Sequence, residues 1–188
     1  MDRALNLEGQ TLSFDHVAAL SRLPMFRTSS PDDLRRFVAG AEPLTLRRGE
    51  ALYREGADAD GSAFLISSGR LVITLGAGST QRTLGDSRAG EVVGETALYA
   101  PGNPRSANAV ADGEVHGLRF GQDLLTQQLD NPVVAQLEQA LMAALARRLR
   151  RTTLGVLKMW QDTAEVAEPT EKQRSLRDRV MAWLGVDR

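Results

Sequence analysis

The spacing of hydrophobic and polar positions changes twice along the chain. Up to residue 41 apolar residues recur every three or four positions, which predicts helices. Over residues 42–120 they alternate in short runs between glycine-rich turns, which predicts the strands of a β-sandwich or barrel. After Gly121 the helical spacing returns. The pattern therefore predicts an α+β fold, mainly β, with helices before and after the strands in the sequence.

Two helices are predicted before the strands, after a loose polar segment at residues 1–12. The first covers residues 14–23. The second has Ser30 as its cap, Pro31 in its first turn and Gly40 as its stop. Its predicted buried stripe is Leu34, Phe37 and Val38.

The strands are predicted from alternation between turn residues. They cover residues 44–46, 63–67, 71–75, 82–84, 91–93, 107–111 and 114–120, and Leu52 leads into a turn-rich loop at residues 55–61. Most of the glycines between them are expected to be turn residues.

Helices follow the strands. A short one is predicted near residues 122–129, and Asn131-Pro132 begins a long one that Glu168-Pro169 ends. At ~1.5 Å per residue it spans roughly 50 Å, longer than the barrel it flanks. Steps of three and four along it are typical of a two-stranded coiled coil, which favours a parallel homodimer. A single helix packed on its own barrel is the alternative. The seam positions are Met142, Leu145, Leu149, Thr152, Val156, Met159, Thr163 and Val166.

A last amphipathic helix is predicted from Thr170, which pairs with Gln173 as a capping box. It could fold back on the dimer, or dock on a protein partner or an acidic membrane surface. Its apolar stripe is Leu176, Val180, Trp183 and Leu184. The predicted divisions of the chain are residues 1–12, 13–131, 132–168 and 169–188.

The composition of the chain argues against several classes of function. The 188 residues carry a net charge of −1 and no cysteine, so thiolate chemistry is excluded and nothing draws the chain to nucleic acid. No apolar run approaches membrane-spanning length, and a soluble cytoplasmic protein is expected. Only one helix fits after Pro169, so no DNA-binding domain and no DNA partner are expected. Two histidines, His16 and His116, are too few for a metal-dependent jelly-roll enzyme. We expect no enzyme activity, no metal and no cofactor.

Candidate chemistry lies in residues 94–107, Gly-Glu-Thr-Ala-Leu-Tyr-Ala-Pro-Gly-Asn-Pro-Arg-Ser-Ala. Glu95 can accept from a sugar hydroxyl, and Arg105 can hold a phosphate through two parallel hydrogen bonds. Backbone N–H groups of a short helical turn at residues 95–98 can add an anion nest. A polar loop of this kind suits a small anion that also carries hydroxyls.

This stretch resembles the phosphate-binding cassette of the cyclic nucleotide-binding domain family, the module of bacterial catabolite activator proteins and protein kinase A regulatory subunits. That pattern is Gly-Glu-x-Ala-Leu, a variable loop, then Pro-Arg-Ser/Ala/Thr-Ala, and every fixed position is filled. The resemblance covers roughly residues 20–150 and implies a β jelly roll. It implies that Arg105 holds the cyclic phosphate, assisted by the backbone near Ala97 and the Ser106 hydroxyl, and that Glu95 takes the ribose 2′-hydroxyl.

The long helix carries a second resemblance. In catabolite activators Ala-Arg-Arg-Leu precedes a Thr-Ser pair that touches the adenine, one residue from each subunit. Here Ala146-Arg147-Arg148-Leu149 precedes Thr152-Thr153, which favours cAMP over cGMP; Thr152 could instead be a polar seam residue. The predicted ligand-binding residues are Gly94, Glu95, Thr96, Ala97, Leu98, Arg105, Ser106, Ala107, Thr152 and Thr153.

The sequence therefore predicts a stand-alone, dimeric cyclic-nucleotide sensor. Its ligand would reposition the long helix and so regulate an unknown protein partner. A dimeric interaction module with a non-functional pocket is the alternative.

Overall fold

The computed structural model describes residues 14–100, 102–164 and 171–184. Its α-helices are α1 His16–Ser21, α2 Pro31–Gly40, α3 Thr96–Tyr99, α4 Gln122–Gln127, α5 Pro132–Ala164 and α6 Glu171–Leu184, with 3-10 turns at Pro24–Phe26 and Gly78–Thr80. Its strands are β1 Glu42–Leu46, β2 Ala51–Tyr53, β3 Ser62–Ser68, β4 Arg70–Leu75, β5 Arg82–Arg88, β6 Val92–Val93, β7 Asn108–Ala111 and β8 Val115–Gly121.

The strands form two four-stranded antiparallel sheets, in the orders β1-β8-β3-β6 and β2-β7-β4-β5. This is a jelly-roll-like β-sandwich with N-terminal helices and a long C-terminal helix, and it confirms the predicted fold class. β3 is buried along six of its seven residues, because both of its faces are covered.

The core has two clusters. One lies between the two sheets and consists of Leu46, Phe64, Ile66, Leu71, Val93, Ala109, Ala111 and Val115. The other joins the helices to β3 and β8, and includes Phe37 of α2, Leu65 of β3, Leu98 of α3 and Leu137 of α5. The second cluster therefore links the predicted cassette helix to the start of the long helix.

The start of α2 confirms its predicted cap. The Ser30 side chain accepts from the Asp33 amide, and the Asp33 carboxylate accepts from the Ser30 amide. The Asn131 side chain caps α5 by accepting from the Val133 amide and donates to the Asp33 carbonyl, 3.1 Å away. One side chain therefore caps the long helix and fastens it to α2.

One predicted strand is clearly shorter than the strand in the structure. The strand predicted over residues 82–84 extends to Arg88, because β5 pairs with β4 from Arg82 to Arg88. Its alternation is weak since this edge strand is largely exposed. The long helix, predicted to about residue 167, is described as far as Ala164; Val166 and Thr170 lie outside the described residues.

The chain divides into two compact units, Met1–Leu141 and Met142–Arg188. In the second unit α5 exposes four predicted seam side chains, Met142, Leu149, Val156 and Met159, whereas Leu157 is buried. α6 exposes Leu176 and Trp183 of its predicted stripe. Among the described helices, none is long and apolar enough to cross a membrane.

The two histidines meet at one aromatic ring. Phe14 stacks on His116 of β8 at 3.9 Å between ring centroids and meets His16 edge-on at 4.9 Å. The His16 Nδ1 atom lies 3.0 Å from the Ser67 hydroxyl oxygen. Burial and the nearby charge of His116 lower the pKa of His16, and the Asp15 carboxylate opposes this shift only in part. His16 therefore packs close to β3 and β8 of the sandwich, although it precedes the strands in the sequence.

Candidate functional site

The described residues of the predicted cassette lie between β6 and β7. Gly94 follows β6, Glu95 precedes α3, and Arg105 to Ala107 lead into β7. Glu95, Ala97, Leu98, Arg105 and Ala107 are buried, and Thr96 and Ser106 are exposed. The structure therefore brings eight of the ten predicted site residues together.

The backbone conformation at Gly94 and the lack of space around its Cα atom both favour glycine at this position. Its φ of +74° lies in the left-handed region, which other residues rarely adopt. A Cβ atom would also lie 2.5 Å from the Arg105 Nη1 atom and 3.4 Å from the Tyr53 Cε1 atom. The glycine thus allows the guanidinium to approach the backbone closely.

The Arg105 side chain is buried, with 6% of its surface exposed, and is held at three acceptors. Its Nη1 donates to the Gly94 carbonyl at 3.1 Å, and its Nη2 donates to the Asp60 carboxylate at 3.0 Å and to the Ser62 carbonyl at 3.1 Å. These contacts use three of the five N–H groups of a guanidinium. The group is fixed in position before any ligand arrives.

Aromatic rings cover the same guanidinium. Its central carbon lies 4.7 Å from the centroid of the Tyr53 ring and 5.6 Å from that of Phe64. A cation above an aromatic face is stabilised by about 0.5–2 kcal/mol, more where water is excluded. Tyr53 is the last residue of β2 and Phe64 lies on β3, so each of the two sheets provides one aromatic ring that contacts the Arg105 guanidinium.

The loop between β2 and β3 holds Arg105 by its backbone as well. The Arg105 amide donates to the Ala57 carbonyl, and the Gly56 amide donates to the Arg105 carbonyl, both at 2.8 Å. Asp60 of the same loop binds the side chain. This loop is therefore part of the site, although the sequence suggested only a turn.

Asp60 is the anionic centre of that loop. The Ser62 amide donates to its Oδ1 atom at 3.0 Å and the Ser62 hydroxyl at 2.5 Å, while Arg119 Nη2 donates to Oδ2 at 2.9 Å. Burial alone would raise the pKa of Asp60, but the Ser62 hydrogen bonds and the Arg119 guanidinium outweigh it and lower this pKa to about 2. Asp60 is therefore ionised throughout the physiological pH range.

The helical turn α3 uses some of its own amides. The Ala97 amide donates to the Gly94 carbonyl and the Leu98 amide to the Glu95 carbonyl, both at 3.1 Å. These two N–H groups, proposed for an anion nest, are thus paired within the turn in this structure. Glu95 is 7% exposed at the start of the same turn.

The remaining predicted site residues, Thr152 and Thr153, lie on α5 in the second unit. Thr152 is exposed, and the Thr153 hydroxyl donates to the Leu149 carbonyl at 2.9 Å. Their contact with a base stays a prediction. Among the described residues no group of three or more potential metal ligands is found.

Sequence reasoning missed five residues around Arg105, namely Tyr53, Asp60, Ser62, Phe64 and Arg119. Asp60 stands in a run with Asp58 and Gly61 that is typical of any turn. Phe64 lies in the continuous apolar run of an ordinary buried strand. No local signal separates these residues from scaffold positions, since each meets Arg105 or its partners only through the fold.

Most of the chain is similar to known proteins. Residues 43–131 match the sequence model described as Cyclic nucleotide-binding domain. The CRP-like cAMP-activated global transcriptional regulator of Mycobacterium tuberculosis is 29% identical over 138 residues, which are 71% of this chain and 58% of the relative. The chain thus spans less than two thirds of that relative's length.

Solved structures extend the comparison. The N-terminal domain of a transcriptional regulator from Streptomyces coelicolor A3(2) is 31% identical with a TM-score of 0.52, over 71% of this chain and 94% of that domain. A cAMP-binding acyltransferase from Mycobacterium smegmatis is 26% identical with a TM-score of 0.54, over 76% of this chain and 41% of the acyltransferase. The family match, the nearly complete coverage of the Streptomyces domain and the filled cassette lead to one conclusion: this chain belongs to the cyclic nucleotide-binding domain family and is a cyclic nucleotide-binding sensor domain.

Proposed function

We propose that the chain senses cAMP in preference to cGMP and converts binding into a change at its long helix. The observation that carries the proposal is the buried Arg105 guanidinium, fixed by three hydrogen bonds with two N–H groups beyond them. A cyclic phosphate carries one negative charge, and the remaining Nε–H and Nη1–H groups of Arg105 can each donate to a phosphate oxygen. Glu95, buried at the other end of the cassette, is the proposed acceptor for the ribose 2′-hydroxyl.

The base preference rests on weaker support. The Thr152-Thr153 pair and the cAMP named for the Mycobacterium tuberculosis regulator both favour adenine. Ser106 is exposed beside Arg105, and its hydroxyl could also donate to a guanine turned over the ribose. The proposed preference for cAMP is therefore modest.

The coupling is proposed to run through α3. Leu98 is 2% exposed and shares a core cluster with Val134 and Leu137 of α5. Burial and the negative charge of Glu138 on α5 raise the pKa of Tyr99, the last residue of α3. A ligand that moves α3 would thus disturb the first turns of the long helix.

We also propose that the chain forms a homodimer through α5, because the predicted seam of this helix has exposed apolar side chains on a single chain. Contact of α6 with a protein partner or a membrane surface stays an open alternative. Absence of enzyme activity also stays a prediction, since the similar acyltransferase shows that an enzyme can carry this domain.

Calorimetric titration with cAMP and with cGMP tests the proposed ligand. We expect affinity in the micromolar range or tighter, with cAMP binding the more tightly. Thr152→Val and Thr153→Val should weaken cAMP more than cGMP if these hydroxyls contact the base. Absence of both heat and a thermal shift with either nucleotide would refute the sensor function and favour a module with a non-functional pocket.

A further inference from the structure

Asp60 lies between two guanidinium groups. Its Oδ1 atom accepts from Arg105 Nη2 at 3.0 Å, and its Oδ2 atom accepts from Arg119 Nη2 at 2.9 Å. Arg119 lies on β8, outside the cassette, and its Nε also donates to the Ser62 hydroxyl oxygen at 3.0 Å. The same carboxylate is thus shared by the proposed phosphate-binding arginine and by a second arginine.

The two carboxylate oxygens of Asp60 accept different numbers of hydrogen bonds. Oδ1 accepts from the Ser62 amide, the Ser62 hydroxyl and Arg105, whereas the described donor to Oδ2 is Arg119. Without Arg119, the carboxylate could turn Oδ2 toward Arg105 and form the stronger two-bond pair that arginine favours with carboxylates. Such a pair would occupy one of the two remaining N–H groups of Arg105 and would neutralise more of the charge that attracts a phosphate.

We propose that Arg119 is a positioning residue for ligand binding: by holding Oδ2 of Asp60, it keeps Arg105 available to the phosphate of the nucleotide. The inference rests on the proposed function, because it assigns the phosphate to Arg105. Asp60 then orients the Nη2 end of the Arg105 guanidinium and does not compete for its Nε–H group or its second Nη1–H group.

Arg119 has one further partner, which offers a control. Its Nη1 donates to the Glu42 carboxylate at the start of β1. Glu42 is 71% exposed, so this ion pair contributes little in water. If Arg119 served only to tie β8 to β1, Glu42→Gln would reproduce the effect of Arg119→Gln.

The test is a double-mutant cycle in which cAMP and cGMP are titrated into the unaltered protein, Arg119→Gln, Asp60→Asn and the doubly substituted protein. Arg119→Gln should weaken binding roughly threefold to tenfold, more at low salt, because the pair is partly exposed and screened. In the Asp60→Asn background it should cause no further loss, since the competing carboxylate is gone. Glu42→Gln, and Arg70→Gln in the exposed ion pairs of β4, should bind as the unaltered protein does.

The outcomes separate the two claims. If the unaltered protein binds neither nucleotide, the proposed function fails and this inference fails with it. If it binds and Arg119→Gln binds equally well, only the inference fails. Loss on Arg119→Gln that persists in the Asp60→Asn background, or that Glu42→Gln reproduces, also overturns it by showing a structural role. Melting temperatures of all variants identify any that are partly unfolded.

Discussion

Replacement of Arg105 by alanine should weaken both the fold and the ligand site. The side chain is 6% exposed, and its removal leaves the buried Ser62 carbonyl without this donor, at a cost of about 1–3 kcal/mol. The Gly94 carbonyl loses less, because it still accepts from the Ala97 amide. Loss of the Tyr53 ring contact adds about 0.5–2 kcal/mol. We expect the free energy of unfolding to fall by about 2–4 kcal/mol in total.

The loss of nucleotide affinity should be of similar size but separate in origin. A phosphate that enters the Arg105→Ala pocket would be partly desolvated without its cation, and Glu95 would add repulsion. Removal of one member of such a charge pair costs about 2–4 kcal/mol, or roughly thirtyfold to a thousandfold in affinity. Asp60 would keep Arg119 and Ser62 as partners, so the loop itself should persist.

The assay combines denaturant unfolding with calorimetric titration at a temperature where both proteins are folded. Arg88→Ala is the matched control, because Arg88 is an exposed arginine paired with Asp86 and should change stability by less than about 0.5 kcal/mol. The reasoning is refuted if Arg105→Ala keeps its nucleotide affinity, or if its unfolding free energy matches that of the control. Arg105→Lys should fall between the two, since it keeps the charge but loses the planar fork.

Three further predictions concern single side chains. Gly94→Ala should cost about 1–2 kcal/mol of stability through its positive φ and should weaken cyclic nucleotide binding by displacing Arg105, which unfolding and titration measure together. The pKa of His16 is lowered below 6.5 in the folded protein, so its contribution to stability should be complete above about pH 7 and should be lost as the pH drops through 6.5. The melting temperature of His16→Gln should therefore fall less steeply with decreasing pH than that of the unaltered protein, and an equally steep fall would contradict this. Val156→Asp places an unpaired charge on the proposed seam and should weaken the dimer by several kcal/mol, which sedimentation tests; a wild-type monomer with tight binding would exclude the dimer.

The cassette could be predicted because its residues are adjacent in the chain and need a defined order. Gly94, Glu95 and Leu98 fall within one short turn, so local spacing carries their arrangement. The cap of α2 was equally local, since Ser30 and Asp33 are three positions apart. The same reasoning found most strands from their alternation.

Contacts across the fold could not be predicted in this way. Asp60 is 45 residues from Arg105 and 59 from Arg119. The pairing of β3 with β8 brings Arg119 to Asp60, and the backbone hydrogen bonds of the β2–β3 loop bring Arg105 to it. The full length of β5 could not be predicted from the sequence for a related reason. Its continuation to Arg88 depends on hydrogen bonds to β4 and leaves its side chains largely exposed, so no hydrophobic alternation marks it.

The position of α3 explains why binding and the long helix should be coupled. Glu95 and Leu98 are separated by less than one helical turn, so a displacement of one carries the other. Leu98 is packed in the cluster that holds Leu137, and a close-packed core changes between discrete arrangements more readily than it deforms continuously. A ligand that draws Glu95 toward its ribose must therefore either repack this cluster or bind less tightly. Because such coupling is reciprocal, a substitution at Leu137 that alters the packing should change nucleotide affinity without touching the ligand.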